Sequence, residues 1–238
     1  MTNVQKAIDM YGLVEGELTA SDLLKLEFDS PILTPSELTE VHGRLIESEV
    51  GFSHTLGWFL SRLVKSSYDA GNNDFVFEAD SGGIDSFGVR LNGNEAPIRL
   101  DVRGNLGNNA FSHSRNVEAK VEQGLGLYGG ICTENLKLQV GGDADSGLAI
   151  DSKYFAGLLN NVRDFVGARS YCFSAIIQGN AGEGLCNYAK NPRVFVEGTA
   201  GFGAFTKANG GYLVLCGQEA KELPIYQKIL QSFEQKTE

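Results

Sequence analysis

Gln178-Gly179-Asn180-Ala181-Gly182-Glu183-Gly184 follows a stretch in which Phe173, Ala175 and Ile177 occupy alternate positions. Nineteen residues later, Glu197-Gly198-Thr199-Ala200-Gly201-Phe202-Gly203 follows Val194 and Val196 in the same places. Alternation with a period of two marks a strand with one buried face, and the run of small residues after it marks a turn. Working outward in both directions, the same unit recurs. Phe75 and Phe77, then Ile98, Leu100 and Val102, then Val117, Ala119 and Val121, then Leu136, Leu138 and Val140, then Phe155 and Leu159, and finally Leu213 and Leu215 each precede a turn. The turns begin at 79, 104, 123, 142, 161, 179, 198 and 217, at spacings of 25, 19, 19, 19, 18, 19 and 19. Repeats of about 20 residues define a solenoid, in which no coil buries its own apolar face and the stack builds one continuous core.

This register places an eighteen-residue coil at Asn161 and six extra residues in the loop around Val89–Ala96. Corner glycines are expected to supply positive φ. A second short strand per coil is expected in stretches such as Leu185-Cys186-Asn187 and Ala204-Phe205-Thr206, with Asn209-Gly210-Gly211 closing the coil.

Residues 1–72 read as a helical segment. Thr34-Pro35-Ser36-Glu37 is a helix start, with Thr as N-cap, Pro at the first helical position and Glu completing a capping box. Leu38, Val41, Leu45, Phe52, Leu56, Phe59 and Leu63 follow at helical spacing, and Gly43 and Gly51 are places where this helix bends or splits. A shorter helix is expected around Ala20–Leu26, and Trp58 and Phe59 are read as core residues. The solenoid occupies 73–218. In 219–238, Leu223, Tyr226, Leu230 and Phe233 fall at helical spacing behind Pro224, so this helix is expected to cap the far end of the stack as the first segment caps the near end.

The corner motifs are similar to the GXGXG repeats of the glutamate synthase C-terminal domain. The residues that carry the likeness are Val196–Phe205 with Asn209-Gly210-Gly211, Gln178–Gly184, and Asn161-Val162-Arg163-Asp164-Phe165-Val166-Gly167. The likeness spans about residues 75–217. Ala79, Gln123 and Asn161 stand where the pattern has glycine, and Asp145 and Asp164 replace its second glycine. The resemblance implies a right-handed parallel β-helix. Such domains close large glutamate synthases, stand alone as subunits of archaeal glutamate synthase-like and methylamine-glutamate-forming complexes, and in related form make one subunit of formylmethanofuran dehydrogenase. In these the β-helix is structural, and no catalytic side chain carries over.

Composition narrows the function further. The net charge is −10 with no Lys/Arg cluster, which argues against nucleic acid and anionic membrane as partners. No segment reaches 18 uninterrupted apolar residues, and the N-terminus lacks a signal-peptide pattern, so a cytoplasmic protein is expected. Cys132, Cys172, Cys186 and Cys216 form no C-x-x-C and are read as small buried hydrophobes.

Four features invite a chemical reading. Gly179–Gly184 resembles a phosphate loop, but its glycines recur every coil and strands follow it, so it reads as a corner. Gly142-Asp143-Ala144-Asp145-Ser146-Gly147 resembles the start of a calcium loop without the acid at its twelfth position. Asp145 and Asp164 are expected at equivalent places in adjacent coils, where stacked carboxylates bind a cation or serve acid–base work unless Arg163 and Arg169 neutralise them. His113 between Ser112 and Ser114 reads as a surface histidine. No catalytic, cofactor or metal residue is assigned. The expected function is a non-catalytic scaffold subunit of a glutamate synthase-like or related amidotransferase complex, bound to other subunits or to itself. The alternatives are a stand-alone interaction module, a carbohydrate-active β-helix and a hexapeptide-repeat acyltransferase, whose 18-residue coils of sixes do not fit this period.

Overall fold

A computed structural model describes residues 2–14, 31–47 and 54–215, together with Tyr226, Gln227, Leu230, Gln231 and Phe233. Its order is α1 (Asn3–Val14), α2 (Pro35–Glu47), α3 (His54–Asp69) and strands β1 (Asp74–Ile84), β2 (Ile98–Leu106), β3 (Arg115–Val121), β4 (Glu134–Val140), β5 (Ala156–Leu159), β6 (Ser174–Ile177), β7 (Arg193–Val196) and β8 (Tyr212–Leu215). The strands form one parallel sheet in sequence order. Partners are typically nineteen residues apart, as in Val117↔Leu136 and Val194↔Leu213, so the chain is a parallel β-solenoid. The residues read as inward-facing are the core: Phe75, Phe77, Ile98, Val102, Leu138, Phe155, Phe173, Ile177 and Val196 are all buried, and Phe155 and Phe173 stack at 4.9 Å. Each such side chain contributes about 1.5–3 kcal/mol by leaving water.

The stretch expected as a second strand is instead a ribbon of consecutive turns. Alternate residues have positive φ: Asn109, Phe111 and His113 in one coil, Phe165, Gly167 and Arg169 in another, Gly184, Cys186 and Tyr188 in the next. Within a coil, Ser112 N–H donates to Asn109 O (3.2 Å) and Ser114 N–H to Phe111 O (3.2 Å). Between coils, Phe111 N–H reaches back to Phe87 O (2.8 Å) while Asn109 and His113 N–H reach forward to Leu127 and Ile131 O (both 2.8 Å). A left-handed non-glycine residue costs about 1–2 kcal/mol. The stacked hydrogen bonds over-determine the conformation and hold it.

The corner glycines divide between two purposes: Gly184, Gly203, Gly210 and Gly211 supply the expected positive φ, and others do not. Gly179, Gly182, Gly198 and Gly201 are not among the positive-φ residues. A Cβ on Gly201 would lie 2.7 Å from Gly182 C, and one on Gly182 would lie 2.8 Å from Arg163 C. Small residues recur here because the backbones of successive coils touch. Gly104 meets both demands, with φ +125° and a Cβ position 1.7 Å from Ala79 O.

The irregular coils are resolved in detail. The six extra residues of the first coil are divided between a register shift from Ala79 to Ile84 and a loop before Ile98. The short coil loses its residue at the corner: Asn160-Asn161 fills the place held by Gly141-Gly142-Asp143 before it and Gln178-Gly179-Asn180 after it.

Helices cover the first coil. The capping box at Thr34 forms as read, with Glu37 N–H on Thr34 Oγ1 (3.3 Å) and Thr34 N–H on Glu37 Oε2 (2.8 Å). The single long helix is two helices, with Gly43 inside α2 in open space. Residues 20–26 and 51–52 lie outside the described residues. Helix α1 lies within the segment read as helical; Thr2 Oγ1 accepts the Gln5 N–H (3.1 Å), and Val4, Ala7 and Tyr11 make a buried stripe. Tyr11 packs on Phe59 (5.2 Å), and Trp58 is half-buried beneath the Arg90 guanidinium (5.8 Å). Gly57 lets α3 touch the first coil, since a Cβ there would lie 2.0 Å from Asp85 O.

The expected cap by 219–238 falls largely outside the described residues. Those that are described, Tyr226, Leu230 and Phe233, lie against the outer face of the sheet. Tyr226 is buried against Leu158, Ile176 and Phe195, the outward residues of β5, β6 and β7, and its hydroxyl donates to Glu197 Oε1 (2.6 Å).

Two glycine substitutions separate these effects. Gly104→Ala is expected to destabilise the protein by about 2 kcal/mol or more. Gly43→Ala is expected to stabilise it by up to about 1 kcal/mol. Urea unfolding midpoints measure both.

Candidate functional site

Stacking turns each position of the repeat into a column of side chains about 4.8 Å apart. Two columns use amide or carboxylate oxygens to accept a backbone N–H from the next coil. In the first, Asn105 Oδ1 accepts from Gly124 (2.8 Å), Asn161 from Asn180 (2.8 Å) and Asn180 from Thr199 (2.9 Å). In the second, Asp85 Oδ1 accepts from Asn108 (2.6 Å), Asn108 from Leu127 (2.9 Å) and Asp164 from Glu183 (2.7 Å). Each such bond is worth about 1 kcal/mol, and more with a charged acceptor.

Asp145 and Asp164 are therefore not the stacked pair expected of them. The corner that lost a residue shifts the register, so Ala144 pairs with Val162. Asp145 then sits beside Arg163, to which it is 3.7 Å away, and its Oδ1 accepts the Ser146 N–H (2.7 Å). Asp164 falls one column over, beside Ser146, whose Oγ accepts the Asp164 N–H (3.3 Å). Asp143 accepts from Asn161 Nδ2 (2.9 Å). Among the described residues no three His, Cys, Asp or Glu side chains converge as metal ligands.

The other candidates separate in the same way. His113 is exposed, whereas Ser112 and Ser114 on either side of it are buried, with Ser112 Oγ donating to Tyr128 O (3.2 Å). Gly179–Gly184 is a corner followed by the turn ribbon, with no helix N-terminus to meet a phosphate. The cysteines differ from the uniform burial expected: Cys186 is buried, Cys172 half-buried and Cys132 exposed, while Cys216 lies outside the described residues. Burial pushes the Cys186 thiol well above its ordinary range.

The turn ribbon carries the chemistry that sequence reading missed. Its outward columns expose Tyr128, Phe165, Tyr188 and, at the following corner, Tyr154 and Tyr171. Tyr154 and Tyr171 meet edge to face at 5.7 Å. The Tyr128 and Phe165 rings lie over Gly147 and Gly184 of the next coils, whose Cβ positions would be 2.6 and 2.7 Å from ring carbons. Asp151 and Arg169 form a two-pronged ion pair (2.8 and 2.6 Å), and Lys207 Nζ donates to Tyr188 Oη (3.0 Å). These residues belong to different coils, so only the inter-coil register brings them together.

The outer face of the sheet is divided. Its first strands carry cross-strand pairs, Arg99 with Asp74 and Arg103 with Glu78 (2.8 Å), and its last are apolar beneath the tail. A groove of about 680 Å³ runs between Leu230, Phe233 and the polar half, lined by Asp101, Glu118, Lys120 and Lys137. Lys137 sits over the Phe233 ring (4.9 Å).

Fold and surface together define a helix-covered parallel β-solenoid with an aromatic turn face. No family model, curated protein or solved structure matches the chain. No helix among the described residues is long and apolar enough to cross a membrane.

Asp164→Ala is expected to lower stability by about 1–2 kcal/mol and Asp164→Asn by much less, because the amide retains the acceptor; chemical denaturation distinguishes them. The Arg169 hydrogen bonds hold the Asp151 carboxyl below its usual range. Its contribution is full above the ordinary carboxylate range and is lost as pH falls through the depressed value. The pair is exposed, so Asp151→Asn should flatten this acid limb by less than about 1 kcal/mol. In native protein a thiol reagent should modify Cys132 and leave Cys186 protected until unfolding, as mass spectrometry of the labelled peptides would show.

Proposed function

We propose that this solenoid is a non-catalytic scaffold subunit, acting in the cytoplasm within a glutamate synthase-like or related amidotransferase complex. One observation carries the scaffold reading. Of the two carboxylates that first suggested chemistry, Asp164 accepts a backbone N–H from the next coil and Asp145 lies beside Arg163 of the next coil, while the turn ribbon presents the large aromatics Tyr128, Phe165 and Tyr188 outward. Exposed Tyr and Phe on a rigid backbone lose little conformational freedom on binding and suit a protein interface. The partner class rests on the likeness of the corner motifs to GXGXG repeats. Those glycines lie where coils touch, a constraint that any stack of this kind shares.

Gentle affinity purification from the native cell tests both parts. A stoichiometric complex with an amidotransferase-type or synthase-type catalytic subunit is expected. Tyr154→Ala combined with Tyr171→Ala should weaken that association at least about tenfold, the cost of losing an interfacial aromatic, with the melting temperature unchanged. A chain that purifies without a larger partner, or that turns over substrate alone, defeats the reading.

A further inference from the structure

The two ends of the solenoid are finished differently. Over the first coil, the helices supply the hydrogen-bond partners that a preceding coil would have given. Thr39 Oγ1 donates to Val76 O (2.8 Å), and Ser61 Oγ accepts the Gly88 N–H (2.8 Å). The Tyr68 hydroxyl accepts the Asn94 N–H and donates to Ala96 O (both 2.7 Å).

At the far end no such element is found among the described residues. In the penultimate coil, the N–H groups of Ala181, Gly184, Tyr188 and Asn191 bond forward to Thr199, Phe202, Thr206 and Asn209. The carbonyls of Ala181, Leu185, Ala189 and Pro192 accept from Gly201, Phe205, Asn209 and Tyr212. One coil later, the same donors are Ala200, Gly203, Lys207 and Gly210, and the same acceptors are Ala200, Ala204, Ala208 and Gly211. Among the described residues none of these groups has a hydrogen-bond partner in another coil. The apolar side chains follow suit: Leu185, Cys186 and Val194 are fully buried, but Ala204, Phe205 and Leu213 are only half-buried, and Phe202 and Leu215 are 88% and 58% exposed.

Sheet edges are normally guarded by charge, proline or a cover. Residues 198–215 contain no proline and one charged residue, Lys207, whose ammonium is turned back up the stack onto Tyr188. The preceding coil holds Pro192 and four charged residues, Glu183, Lys190, Arg193 and Glu197. Depletion of charge with retention of large apolar groups is the composition of an interface core.

We infer that this open end is the interface of a two-fold homodimer, the last coil of one chain packing on the last coil of a second copy. The capped first coil rules out head-to-tail stacking, so association through the free ends is isologous and closes at two. The edge presents donors and acceptors in alternation and can therefore satisfy its own copy when reversed, β8 lying antiparallel to β8. The chain's net charge of −10 opposes association elsewhere on the surface but not at this nearly uncharged end. This inference does not rest on the scaffold reading.

Sedimentation velocity on the full chain at micromolar concentration should give twice the chain mass of 25.7 kDa. Phe202→Lys combined with Leu215→Lys should weaken the dimer at least about tenfold, as charge placed in an apolar interface does. The circular dichroism spectrum should stay unchanged, and the Lys207 and Gly210 amides should lose hydrogen-exchange protection. Tyr128→Lys, on the turn face, should leave the dimer intact. A monomer at every concentration, an open-ended polymer, or a double variant that dimerises as tightly as the parent overturns the inference.

Discussion

Backbone contact between successive coils is the constraint on which everything else here depends. Parallel strands lie about 4.8 Å apart, and along the whole circuit of a coil the N–H and C=O groups must find partners above and below. That spacing leaves no room for a Cβ at Gly201 or Gly182. It holds Phe111, Phe165 and Cys186 in left-handed conformations that none of them would adopt alone. It also selects residues with a short side-chain oxygen, because only Asn and Asp at positions such as 108, 161, 164 and 180 can bridge from one corner to the backbone of the next.

A stack built this way has a beginning and an end, and both need an answer. At the beginning it comes from side-chain hydroxyls and a tyrosine on α2 and α3, placed by a close approach that only Gly57 permits. The described residues of the tail answer a different need. Leu158, Ile176 and Phe195 form an apolar strip on the outer face of β5, β6 and β7, where the first strands carry ion pairs, and Tyr226 buries that strip. Outward apolar residues on a solenoid sheet are thus explained by a cover from the same chain.

These demands also shape what the surface can do. A carboxylate that accepts a backbone N–H from the neighbouring coil, as Asp164 does, is engaged in holding the stack together. Aromatic rings on the turn ribbon have a double role. Tyr128 and Phe165 pack over glycines of the next coil while keeping about half their surface in water. The result is a surface of apolar, hydrogen-bonding ring edges on a hydrogen-bonded stack.

The sequence alone determined the period, the inward residues of every strand and the capping box at Thr34, because stacking writes the same requirement into each coil and a cap is a local matter of four residues. The eighteen-residue coil was also legible, but the atom-level register was not. Spacing reveals that a residue is missing without revealing where, and moving the gap to the corner at Asn160-Asn161 is what separates Asp164 from Asp145 and pairs Asp145 with Arg163. The turn ribbon was misread as a strand because its left-handed residues include Phe, Tyr, Arg and Cys, which signal nothing of the kind locally. Tyr226 and Leu230 announced a helix with something to bury. Only the tertiary structure decided that this was the sheet's outer face, since an amphipathic stripe specifies that water is excluded and not by what.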